Sequence, residues 1–132
     1  MSDKKKIMIV DDDREFLEEL KEILESAGYD VLEVSDNSSI IRTAVKARPD
    51  GILIDLKMSP RSGFQVADEL KGRTETSKIP IIAMSAFFTR EEDELLRNVC
   101  GITEQVDKPF NPLDVIAVIE RTVGNGGSKK GY

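Results

Sequence analysis

The stretch KKKIMIVDDDREF, residues 4–16, sets an electrostatic problem whose solution organises the rest of the chain. Ile7 to Val10 is a short apolar, β-rich run bounded by charge, which predicts a buried strand over Lys6–Val10. It empties directly into Asp11, Asp12 and Asp13. A helical pattern follows over Arg14–Ala27, where Phe16, Leu17, Leu20, Ile23 and Leu24 fall on one face. Two like charges about 4 Å apart repel by ~4 kcal/mol at an effective dielectric near 20. Acids crowded at a strand end therefore either take up protons or recruit a cation.

The strand-then-helix unit recurs. Strands are predicted at Asp30–Val34, Gly51–Asp55, Pro80–Ser85 and Gln105–Lys108. GILID, residues 51–55, is apolar to both sides until its last residue and belongs inside a sheet covered on two faces. Gly28 stops the first helix. Asn37 is expected to cap a helix to about Ala47, with Ile40, Ile41, Ala44 and Val45 inward, and Pro49 forces its exit. Gly63–Lys71 turns Phe64, Ala67 and Leu70 inward. Thr89 and Glu92 form a capping box for a helix to about Cys100. Asn111 and Pro112 open a last helix to about Val123. Five βα units in succession predict an α/β fold, a doubly wound parallel sheet with helices on both faces. In such sheets the ligand site lies beyond the carboxyl ends of the strands.

Composition narrows the chemistry. With 132 residues the chain fits one domain. A net charge of -6 argues against a nucleic-acid surface, since the basic runs Lys4–Lys6 and Lys129–Lys130 sit at the two ends. The single cysteine, Cys100, allows no internal disulfide and fits a cytoplasmic home; it is expected as a small residue in a helix. The absence of histidine removes Ser–His and Cys–His catalysis and disfavours zinc. No apolar run approaches the ~18 residues of a membrane span, so membrane insertion is not expected. Residues 124–132 are Gly-rich and polar; they and residues 1–4 are expected to be flexible termini.

The predicted strand tips bring together Asp11, Asp12 and Asp13, then Asp55, Ser85 and Lys108. Each has an ordinary reading: a helix cap for Asp12 or Asp13, a salt bridge between Lys108 and Asp55, a turn for Ser85. A carboxylate closing an apolar strand is costly unless paired, however, and one lysine cannot neutralise three acids. Oxygen-only ligands select a hard cation, Mg²⁺, Mn²⁺ or Ca²⁺, with Mg²⁺ fitting best. The chemistry that uses such a set is phosphoryl transfer to a carboxylate, with metal and lysine on the equatorial oxygens.

In these motifs the chain resembles the receiver domain of bacterial two-component response regulators, of the chemotaxis-regulator kind. IMIVDDD, ILIDLKM with Gly63 eight residues past Asp55, IIAMSA and DKPF stand in the family's order and spacing across residues 5–123. The resemblance implies a (βα)5 flavodoxin-like three-layer sandwich with strand order 2-1-3-4-5. It implies Asp55 as phosphoacceptor, Ser85 and Lys108 as phosphoryl contacts, and Mg²⁺ on Asp11, Asp12, Asp55 and the Lys57 backbone carbonyl. It also implies a cis bond before Pro109. The implied partners are a sensor histidine kinase or phosphotransfer protein and a downstream protein or output domain. The protein would be a signalling phosphoacceptor and not an enzyme acting on other substrates. Two positions depart from the family pattern. Met58–Ser59–Pro60 stands where Met-Pro is usual, and Gln105 stands where Tyr or Phe is usual. The alternatives are a receiver-like interaction module that is never phosphorylated, favoured by Gln105, and an aspartyl-intermediate phosphatase. Lys57 stands against the phosphatase, because a second Asp is usual at that position.

Overall fold

A computed structural model describes residues 4–58, 62–86, 89–102, 104–108 and 111–124, apart from the side chains of Asp93, Val99 and Cys100. Five strands, β1 (Lys6–Val10), β2 (Asp30–Val34), β3 (Gly51–Asp55), β4 (Ile81–Ser85) and β5 (Glu104–Asp107), alternate with five helical segments. These are α1 (Arg14–Ser26), α2 (Ile40–Ala47), α3 (Gly63–Gly72), α4 (Arg90–Leu95) and α5 (Pro112–Val123). All pairings are parallel and the order is β2-β1-β3-β4-β5, the flavodoxin-like arrangement expected.

The pleat sorts the core into two layers. Met8, Val10, Ile52, Ile54 and Ala83 pack with Ile40 and Ala44 of α2 and Val66, Ala67 and Leu70 of α3. Ile7, Ile9, Leu53, Ile82, Met84 and Val106 pack on the other face with Leu17, Leu20 and Leu24 of α1 and Val115 and Ile119 of α5. Alternation along a strand is what divides them. β3 and β4 are buried at every position, as central strands of a covered parallel sheet must be. Each fully buried Leu or Ile is worth ~1.5–3 kcal/mol of transfer free energy.

The helix ends follow local rules. After Ser26 the chain closes a Schellman turn: the Gly28 N–H donates to the Glu25 carbonyl at 3.0 Å and the Tyr29 N–H to the Leu24 carbonyl at 3.1 Å. That turn needs a left-handed residue, and Gly28 supplies φ 98°. Thr89 and Glu92 form the expected box on α4, and the Asn111 side chain accepts from the Leu113 N–H at 2.8 Å.

Three expectations are corrected. Asn37 does not cap α2: it opens a 3₁₀ turn, Asn37–Ser39, which Asp36 caps by accepting from the Ser38 N–H at 3.1 Å, and α2 starts after Ser39 without a side-chain cap. The carboxylate is an equally good cap one residue earlier. Strand β5 runs Glu104–Asp107, one residue earlier than expected. The helix expected to reach Cys100 is regular α only through Leu95 and continues as a π turn over Leu96–Cys100. Residues 1–3 and 125–132, the Ser59–Pro60 stretch, Phe87 and the Pro109 peptide lie outside the described residues.

Candidate functional site

Asp11 follows β1 and is held by main chain and side chain together. Its N–H donates to the Val34 carbonyl at 3.2 Å, which carries the β1–β2 ladder one residue further. Its Oδ1 accepts from the Asp13 N–H at 3.0 Å. Asp13 in turn accepts from the Phe16 N–H at 3.2 Å and caps α1. The capping role therefore falls to Asp13. Asp11, almost wholly buried, and Asp12, exposed, are left for the cleft.

Asp55 closes β3 and is buried. Its Oδ1 accepts from the Lys57 N–H at 3.1 Å. Behind it α3 begins against the β3 backbone, with the Gly63 N–H donating to the Leu56 carbonyl at 3.1 Å. A Cβ at residue 63 would collide with the Asp55 carbonyl and stand 2.8 Å from the Leu56 Cα. Only glycine lets the helix start this close, which explains the spacing of eight from Asp55 to Gly63.

Lys108 lies just beyond β5, yet its N–H still donates to the Ser85 carbonyl at 2.8 Å. Continuing the alternation from Val106, its side chain points to the α1–α5 face. Its Nζ donates to Asp11 Oδ2 at 2.6 Å, lies 3.8 Å from Asp55 Oδ2, and sits 4.2 Å from the centroid of the Phe16 ring. The expected salt bridge exists, but its tighter partner is Asp11 and not Asp55. Ser85 is fully buried as the last residue of β4, a strand position and not a turn.

Asp11, Asp12 and Asp55 each offer a carboxylate oxygen within 4.8 Å of the others. Burial chiefly raises the Asp55 pKa above the ordinary carboxylate value. The Lys57 N–H pulls it back, Asp11 pushes it up, Lys108 lowers it, and Asp12 adds a further push upward. Three carboxylates and one ammonium leave a deficit of positive charge. That donor set fits a hard divalent cation holding part of its water shell. Two features escaped the sequence reading: Phe16 as the ring beneath Lys108, and an ion pair between Lys57 and Glu92 of α4 at 2.5 Å. Phe16 carries a helical signal that marks it only as core, and nothing local in the sequence joins residue 57 to residue 92.

A five-stranded parallel fold with acids at the β1 and β3 tips and a lysine after β5 defines a class of protein. A family model for the response regulator receiver domain matches residues 7–120, and the chain belongs to that family. The chain is 34% identical over 129 residues to the phosphate regulon transcriptional regulatory protein PhoB of Pseudomonas aeruginosa, covering 95% of this chain and 56% of PhoB. It thus spans about half the length of that relative, and 46% of the response regulator GtcR of Aneurinibacillus migulanus. Among solved structures, the Vibrio cholerae chemotaxis protein CheY4 superposes with a TM-score of 0.84 at 26% identity, over 90% of this chain and 98% of that one. The receiver domain of the sensor histidine kinase PA1611 from Pseudomonas aeruginosa superposes with a TM-score of 0.82 at 26% identity, covering 92% of this chain and 98% of that domain. That domain carries a magnesium ion in its active-site cleft. Among the described residues no helix is long and apolar enough to cross a membrane.

Proposed function

We propose that residues 5–123 act as a phosphoacceptor that takes a phosphoryl group from a phosphohistidine onto Asp55 and thereby switches a protein-binding surface. The observation that carries this reading is the Lys108 ammonium, 2.6 Å from Asp11 and 3.8 Å from the Asp55 carboxylate in a buried acidic cleft. An Asp55 oxygen attacks phosphorus, the P–N bond of the donor breaks, and the imidazole keeps the bonding pair and takes a proton. No base is needed, because the attacking group is a carboxylate. The Lys57 N–H fixes one Asp55 oxygen, leaving the other to attack. Lys108 swings from Asp11 toward the phosphoryl oxygens, and the Ser85 hydroxyl serves another. Asp11, Asp12, Asp55 and the Lys57 carbonyl would hold Mg²⁺, which supplies charge stabilisation to the equatorial oxygens. Water later hydrolyses the acyl phosphate.

The partners are a histidine kinase or phosphotransfer protein upstream and a protein or output domain downstream, in the cytoplasm, with no direct nucleic-acid contact by this domain. Gln105, in β5 opposite Ala83, supports a second reading in which the fold serves as an unphosphorylated docking module. Intact-mass measurement with a small phosphodonor and Mg²⁺ separates the two. One phosphoryl adduct is expected on the wild type and none on Asp55→Asn or without Mg²⁺. A wild type that stays unmodified favours the docking module.

A further inference from the structure

We propose that the Lys57–Glu92 ion pair links Asp55 to α4, with Glu92 the positioning residue that holds the Lys57 ammonium away from the cleft. This rests on the phosphoacceptor reading above. Lys57 touches both ends of the path. Its backbone N–H donates to Asp55 Oδ1 at 3.1 Å, and its Nζ donates to Glu92 Oε2 at 2.5 Å. Glu92 also has two tasks. Its Oε1 accepts from the Thr89 N–H at 3.1 Å, while its own N–H donates to the Thr89 hydroxyl at 3.0 Å. One carboxylate thus closes the N-terminal cap of α4 and anchors the acceptor loop, and Lys57 is the leading cause holding its pKa below the usual range.

The pair is open to water, with 52% of the Lys57 side chain exposed and 20% of Glu92. Exposed pairs of this kind are weak. A phosphoryl group on Asp55 raises the residue's charge from one negative to roughly two, at the side chain whose oxygen the Lys57 N–H already holds. It offers the ammonium a stronger partner than the single carboxylate of Glu92. Transfer of the ammonium leaves Glu92 unpaired and loosens the first turn of α4. That helix is suited to respond: it is regular for six residues, Arg90–Leu95, and then widens into the π turn Leu96–Cys100. π turns of this sort recur at functional sites. The route needs no aromatic ring in β5, where this chain carries Gln105.

Glu92→Gln separates the two tasks. Its amide oxygen still serves the Thr89 N–H, while its NH₂ cannot accept from Lys57. Hydrogen exchange of residues 90–95 is measured on the full chain, with and without beryllofluoride plus Mg²⁺. In the wild type the analogue should speed exchange by about two- to fivefold, the factor an exposed ion pair is worth. In Glu92→Gln exchange should start fast and stay unchanged although the analogue binds. Thr89→Ala should raise the baseline but keep the response. A Glu92→Gln variant that responds like the wild type overturns the link. So does a wild type that binds the analogue with no change in α4. If the wild type fails to bind the analogue, the phosphoacceptor reading falls and takes the link with it.

Discussion

The Asp55 carboxylate is buried beside Asp11 and Asp12, with its nearest ammonium at 3.8 Å and engaged more closely by Asp11. Burial leads the causes that raise its pKa. A carboxyl that holds its proton more tightly in the fold than in the unfolded chain contributes stability that is full below the unfolded pKa. That contribution is lost as pH rises through the folded pKa. Without metal, the wild type should therefore lose stability from the carboxylate range toward neutrality. Asp55→Asn, which cannot ionise, should melt a few degrees higher at pH 7 and lack that part of the loss. Mg²⁺ should raise the melting temperature of the wild type and leave Asp55→Asn nearly unmoved. Thermal unfolding followed by circular dichroism across pH, with and without Mg²⁺, checks both; equal melting temperatures for the two proteins at pH 7 without metal would contradict the account.

At the scale of elements, the junction of β3 and α3 is the tightest. Gly63→Ala places a methyl group against the Asp55 carbonyl and the Leu56 Cα, backbone atoms that cannot rotate away. The substitution should destabilise by ~3 kcal/mol or more, measured by urea unfolding, with part of the loss arising from displacement of Asp55. The sequence carries this need only as a spacing; the collision that explains it appears once α3 is seen against β3. The first three strands were legible to the residue, because Lys6, Asp30 and Gly51 open apolar runs that charge or polarity then ends. The start of α2 was not, because a 3₁₀ turn capped by Asp36 precedes the helix and takes Asn37 into it. The end of β5 slipped by one residue because Lys108 keeps a ladder-like bond to Ser85 after regular strand geometry has stopped. The acids and the lysine were legible as a set. That Lys108 prefers Asp11 to Asp55, and that Lys57 reaches α4, depend on distances between segments far apart in the chain.

Across the whole molecule, Tyr29 joins the first βα unit to the last. Its ring is buried among the α1–α5 layer and its hydroxyl donates to the Gly124 carbonyl at 3.1 Å. Burial first, and Glu120 second, push its pKa up to about 12. A phenol whose folded pKa is raised contributes stability that is full below its unfolded value near 10 and is lost as pH rises through about 12. Tyr29→Phe should therefore show a shallower alkaline unfolding limb, read by ultraviolet absorbance of tyrosinate alongside circular dichroism. An unchanged limb would remove Tyr29 from the account. The strand order also has a colloidal consequence. β2 and β5 form the two outer rims of the sheet, the edges at which a neighbouring molecule would add a strand. Each rim carries carboxylates, Asp30 and Glu33 on one and Asp107 on the other, beside Glu104, which is paired with Arg121 at 2.7 Å. Two such rims meeting edge to edge would set like charges against each other, a repulsion that guards the sheet against strand addition.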